Sequence, residues 1–153
     1  MEHELLNGLS SAEVEEVVEL GSRLIVPSGT LLFRLGEPAD RLFMIERGRI
    51  RLTLPMHVRD REEDVLVEEI SPGQTVGWSA LIPPYRFTLS AAAPLETEVV
   101  ALPQERLREY FAAHTAAGCK IAQNLAVVIG HRLQLFQTMW LREMERTVQA
   151  YSA

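Results

Sequence analysis

The sequence predicts a mainly β protein with flanking helices, and three observations carry that expectation. Between residues 22 and 102 the chain runs as short apolar stretches (RLIV, TLLFRL, RLFMIER, IRLTLPM, DVLVEEI, TEVVAL) broken regularly by Gly, Pro and Asp, the pattern of an all-β barrel or sandwich. After residue 115 the apolar period changes to three or four, the spacing of one helix face. The totals suit a single domain over residues 1–153, long enough to bury about two thirds of its unfolded surface without disulfides or metal. Cys119, the one cysteine, has no internal partner. No charged-then-apolar leader or run of about 18 apolar residues is present, so a reducing cytoplasm without membrane contact is expected.

Residues 1–21 read as an N-terminal helical segment. Leu5, Leu6 and Leu9 precede Ser10-Ser11-Ala12-Glu13, in which Ser10 and Glu13 can satisfy each other's backbone donors at a helix start. Val14, Val17 and Val18 share a face, and Gly21 is the expected stop. The charge run at 55–63 (PMHVRDREE) reads as a solvated hairpin tip. Pro103 takes a favoured first helical position in a short helix over 103–113, whose apolar face is Leu107, Tyr110 and Phe111.

Thr115 is read as the cap of a helix over 115–150, about 35 residues and ~50 Å long. Its stripe of Ile121, Leu125, Ile129, Leu133, Phe136, Trp140, Met144 and Val148 is longer than the β domain can cover, and an exposed stripe of this kind marks an interface. The expected partner is a second copy, meeting through Leu125, Ile129, Leu133, Phe136, Trp140 and Met144. The alternative is a stripe folded back entirely on its own barrel. Cys119 and His131 on this helix read as ordinary packing or solvent positions.

Residues 76–93 (VGWSALIPPYRFTLSAAA) are where a ligand would sit. Gly77 permits a backbone conformation that other residues resist. Trp78, Ser79, Ala80 and Leu81 can form one helical turn whose free N–H groups face an anion, and Pro83-Pro84 ends it. Phe87, Leu89 and Ala91 then alternate with Thr88, Ser90 and Ala92, the period of a strand. Ser79 is not read as a hydrolase nucleophile: the strained turn of a nucleophile elbow needs a small residue at position 81, which is Leu. It is expected to be structural or an anion-facing hydroxyl.

These glycine-punctuated strands, from Val26-Pro27-Ser28-Gly29 through Gly36-Glu37-Pro38, Gly48-Arg49-Ile50 and Ser71-Pro72-Gly73 to the segment at 76–93 and Glu98 to Pro103, resemble the cyclic-nucleotide-binding domain family of catabolite-activator-type regulators. The resemblance implies an antiparallel jelly-roll-like β-barrel with a phosphate-binding cassette and a long dimerisation helix. Metal-dependent cupin enzymes share that architecture, but His3, His57, His114 and His131 show no metal-ligand spacing, so neither a metal nor an enzyme is expected. Within the family cassette, the glutamate that binds the ribose hydroxyl falls here on Trp78, and the phosphate-binding arginine falls on Phe87, followed by Thr88. Indole offers no acceptor and phenyl offers neither charge nor hydrogen bond. Arg86, next to the lost arginine, is the candidate substitute, through a bidentate guanidinium pair. Arg132-Leu133 resembles the family's basic-leucine pair, which puts Gln137 or Phe136 near a nucleotide base.

Two functions follow as expectations. One is a sensing module, a dimer that binds a cyclic nucleotide (cAMP or cGMP) or related anion at Gly77–Leu81, Arg86, Phe87, Thr88, Arg132 and Gln137 and signals through its helix. The other is a dimeric interaction protein with a degenerate pocket filled by Trp78 and Phe87. The sequence ends where the family's transcription factors continue into a helix-turn-helix, so output is expected through a partner protein or dimer geometry. A formal charge of −6 opposes the phosphate neutralisation on which non-specific DNA affinity rests. Gel-shift titration of this chain is therefore expected to give no complex with duplex DNA that survives about 150 mM salt.

Overall fold

A computed structural model gives the structure of residues 2–152; Met1 and Ala153, the ends of the expected domain, lie outside the described residues. Eight strands are present: β1 (Ser22–Val26), β2 (Leu31–Phe33), β3 (Arg41–Arg47), β4 (Ile50–Val58), β5 (Arg61–Ile70), β6 (Thr75–Val76), β7 (Ser90–Ala92) and β8 (Thr97–Pro103). They form two four-stranded antiparallel sheets, ordered β1-β8-β3-β6 and β2-β7-β4-β5. The jelly-roll layout is therefore a pair of sheets sharing one core and not a closed ring of strands. Four successive residues of β3, Leu42 to Ile45, are buried, so this strand is covered on both faces, by the opposite sheet and by the helical segments.

Helix α1 (Ser11–Glu19) begins as the sequence predicts, with Ser10 N donating to Glu13 Oε1 at 2.9 Å and Glu13 N donating to Ser10 Oγ at 3.2 Å. Its stop has a different cause from the one expected. Gly21 is not left-handed; a Cβ there would lie 2.7 Å from the Ala101 carbonyl, so glycine is needed because the chain passes hard against β8. The segment at 55–63 is the predicted hairpin tip, with Met56 to Glu63 exposed. Strand pairing continues through His57 with Glu62 and Val58 with Arg61, and the turn is confined to Arg59 and Asp60, with Arg59 at φ 59°.

Two further boundaries differ. Pro103 is the last residue of β8 and the N-cap of α2 (Gln104–Ala113), because its ψ of 135° is extended. The freed Gln104 N–H donates to Asp40 O at 2.8 Å. Thr115 is the first residue of α3 (Thr115–Ser152), and the preceding His114 carbonyl accepts the first bond, from Gly118 N at 2.9 Å. Of the strand predicted over 87–92, only Ser90–Ala92 are strand. Phe87, Leu89 and Ala91 keep the predicted buried face although 86–89 are irregular, and Ser90 is drawn inside where its Oγ accepts Leu35 N at 3.0 Å.

The long helix has two faces, not one stripe. Ile121, Leu125, Val128 and Arg132 are buried, while Leu133, Trp140, Met144 and Tyr151 are exposed. At about 100° per residue these sets centre on directions roughly 110° apart. Leu125, only 4% exposed, belongs to the chain's own core and not to a dimer seam, and Ile129 packs partly against that core. Their direction is set by the N-terminal segment beneath, where Asn124 Nδ2 donates to Leu5 O and Asn7 O at 2.8 Å and Lys120 Nζ to Gly8 O at 2.7 Å. The stripe does not fold back entirely either, since Trp140 is 65% exposed. Among the described residues no helix is long and apolar enough to cross a membrane.

Gly48, between β3 and β4, has φ +95°, and a Cβ would lie 2.8 Å from the Glu96 carbonyl. Gly48→Ala is expected to cost about 1–3 kcal/mol, read by thermal unfolding as a Tm lower by roughly 2–4 °C per kcal/mol.

Candidate functional site

The cassette is built on Gly77. Its φ of +86° turns the chain out of β6, and its missing side chain leaves room for neighbours: a Cβ would stand 3.2 Å from Arg41 O and 3.4 Å from Phe87 Cε1. The turn Trp78–Leu81 that follows is a single 3-10 turn. Its Ala80 N is engaged internally, by Gly77 O at 3.1 Å, and Ile82 N after it donates to Ser79 O at 3.3 Å, so the turn offers an anion fewer donors than a free helix start. Gln104 Nε2 donates to Ala80 O and ties the turn to α2.

The structure brings Gly77, Trp78, Ser79, Phe87, Thr88 and Arg132 together around one space, joined by Phe33, Leu52 and Leu89. Only about 10 Å³ of it is open. That is room for at most about one water, against the roughly 300–1,000 Å³ of ordinary ligand pockets. Phe87 fills it: its ring stacks on Phe33 at 3.8 Å between centroids and 10° between planes, and Phe33 continues the stack to Phe43 at 5.9 Å. Ser79 is 3% exposed and Ala80 fully buried; Leu81 and Trp78 are half-buried against the core.

Four predicted site residues do not line this space: Ala80 and Leu81, which pack into the core, and Arg86 and Gln137, which lie elsewhere. Arg86 is exposed and does not line this space; its Nη1 donates to Gly36 O at 2.9 Å, and its backbone bridges to Pro38. The guanidinium is thus held by the loop before β3 and does not take over the lost phosphate contact. Gln137 is exposed on the protruding half of α3 and does not line the space, while Phe136 is half-buried against the core.

The residue that sequence reasoning missed is Glu68. On β5 it lies two positions before the buried Ile70 and opposite the buried Leu52, so it faces inward. A register shift between Leu52 and Thr53 makes Val67 the extra residue of a bulge, which lets Val67 and Glu68 both turn inward while Leu66 is 48% exposed. Arg132 Nε donates to Glu68 Oε2 at 2.7 Å, with the two side chains 10% and 14% exposed. The available signal was parity: a carboxylate two residues from an inward isoleucine on a strand. Nearby, burial pushes the Glu4 carboxyl above its ordinary pKa, while the Thr75 N–H and Arg132 pull it down and Glu68 pushes it up. Among the described residues no cluster of His, Cys, Asp and Glu is placed to hold a metal ion.

Because Phe87 supplies the packing at the centre of the cassette, Phe87→Ala is expected to cost about 3–5 kcal/mol. Denaturant unfolding is the measurement, and a loss below about 1 kcal/mol would mean the ring is a surface contact.

Comparison with known proteins agrees with this architecture. The sequence profile of the cyclic nucleotide-binding domain matches residues 23–114. The cyclic AMP receptor protein of Thermus thermophilus is 28% identical over 130 residues, covering 85% of this chain and 57% of that protein. Glutaminase 1 of Bradyrhizobium diazoefficiens is 28% identical over 132 residues, covering 86% of this chain but 20% of that enzyme. The chain therefore spans about half of one relative and a fifth of the other. The crystal structure of Thermus thermophilus catabolite activator protein superposes with a TM-score of 0.74 at 25% identity, covering 93% of this chain and 63% of that one. The fold is thus shared over most of the chain, and this chain belongs to the cyclic nucleotide-binding domain family.

Proposed function

We propose that the domain is a regulatory module that pairs with a second copy along the exposed half of α3 and works without a cyclic nucleotide in its cassette. The observation that carries this reading is the filled cassette, about 10 Å³ behind the Phe33–Phe87 stack. The chemistry points the same way. With Trp78 and Phe87 where the resemblance places an acid and a base, two charge-assisted contacts are gone, each worth about 1.5–3 kcal/mol. Together they amount to on the order of 3–6 kcal/mol, enough to move a micromolar ligand into the millimolar range. Nothing in the cassette is arranged for bond-breaking, and this reading assigns the domain a binding role and no catalytic one.

A second reading, a sensor for a small anion, draws support from Arg132, a buried guanidinium beside Ser79 and Thr88. Calorimetric titration separates the two. cAMP and cGMP are both expected to bind more weakly than ~10 µM, about −7 kcal/mol; a tighter constant for either would favour the sensor.

Pairing is supported by Leu133, Trp140, Met144, Val148 and Tyr151, each more than 40% exposed along the protruding half of the helix. Sedimentation at about 50 µM is expected to give a dimer, well above the ~1 µM constant of a modest interface. Trp140→Asp puts an unpaired charge in that seam and is expected to give monomers. Trp140 is a cleaner probe than Phe136, which also packs on its own core. A wild-type monomer at that concentration would overturn the pairing.

A further inference from the structure

We infer that Glu68 determines what the cassette refuses: its carboxylate is an internal anion seated on Arg132, and it keeps phosphate off the cationic side chain that lines that space. This deepens the closed-cassette reading and rests on it. The loss of the family's acid and base at Trp78 and Phe87 removes attraction for a nucleotide. The Glu68–Arg132 pair adds exclusion.

The geometry carries the inference. Arg132 is the cation among the cassette-lining residues, which otherwise are apolar, Gly77, or the hydroxyls of Ser79 and Thr88. A phosphate entering there has one guanidinium to meet. That guanidinium already holds a carboxylate at 2.7 Å, with both groups nearly out of water. A buried charge pair of this kind resists separation, because each partner left alone is a desolvated ion. An incoming phosphate would have to share this guanidinium with Glu68 and lie beside it, and like charges at contact in a low-dielectric site repel strongly. Alternation from Ile70 presents Glu68 inward, opposite Leu52. The exclusion extends to phosphate monoesters, cyclic phosphodiesters and inorganic phosphate alike, since it acts on charge and not on the base or sugar.

The test is to remove the internal anion and offer an external one. Glu68→Ala leaves Arg132 without a counter-charge and opens space beside it. Inorganic phosphate, titrated calorimetrically and by thermal shift against sodium chloride at matched ionic strength, is expected to bind this variant at least ten-fold more tightly than wild type. It should raise the Tm in a saturable way, and acetate, which restores a carboxylate, should raise it too. The double variant Glu68→Ala with Arg132→Ala is expected to lose both responses. Glu68→Gln keeps the volume and an acceptor for Nε while removing the charge; a phosphate gain there supports the assignment even where Glu68→Ala does not fold. No phosphate response in either variant, or a Glu68→Gln chain unfolded with and without phosphate, would overturn it and leave the pair purely structural. Wild type binding cAMP more tightly than ~10 µM would instead sink the closed-cassette reading, whatever the variants do.

Discussion

A guanidinium and a carboxylate brought together inside an apolar domain constrain everything around them. Removing two charges from water costs several kcal/mol per ion, and their attraction repays that only when the geometry is good, so the Glu68–Arg132 pair at 2.7 Å is poor evidence for stability and good evidence for placement. It pins one turn of α3 to β5. Residues of the helix before it, Ile121, Leu125 and Val128, are buried in the core; residues after it, from Leu133 onward, are mostly exposed. The pair thus marks where the helix stops belonging to the β domain.

The same pair closes the cassette from one side while aromatic rings close it from the other. Phe87 lies parallel to Phe33 at 3.8 Å, and Gly77 lacks the Cβ that would stand 3.4 Å from that ring. The space that the resemblance expects to present polar groups to a sugar phosphate is here lined mostly by core residues. Trading charge-assisted contacts for stacked rings converts affinity for a ligand into stability of the fold, because the burial that a ligand would have completed is complete already.

Beyond Arg132 the helix carries Leu133, Trp140, Met144 and Val148 into solvent. Some twenty residues of exposed helix do not stand alone well, since helix stability in proteins comes chiefly from packing of an apolar face. On the proposed reading of a filled cassette, the position of this segment depends on what it packs against, and the helix and not the pocket is the part that responds to its surroundings.

Much of the fold was legible in the sequence because its causes are local. Alternating apolar runs between glycines located all the longer strands, and Ser10 and Glu13 announced the first helix. The boundary at Pro103 was misplaced because strand pairing with a distant segment overrode the local signal, and the strands run further into 55–63 than predicted because its two arms pair with each other. Arg86 points to Gly36 because the loop before β3 passes beside it, and Leu125 faces inward because the N-terminal turn lies under it. Glu68 reaches Arg132 across 64 residues because the long helix lays its buried face over the inward side of β5. The sequence by itself determined which segments are strand or helix and which side chains the cassette had lost, because periodicity and residue chemistry are local properties. Tertiary structure alone decided which charge meets which and which helix face remains in water, because those depend on register and on contacts between residues far apart in the chain.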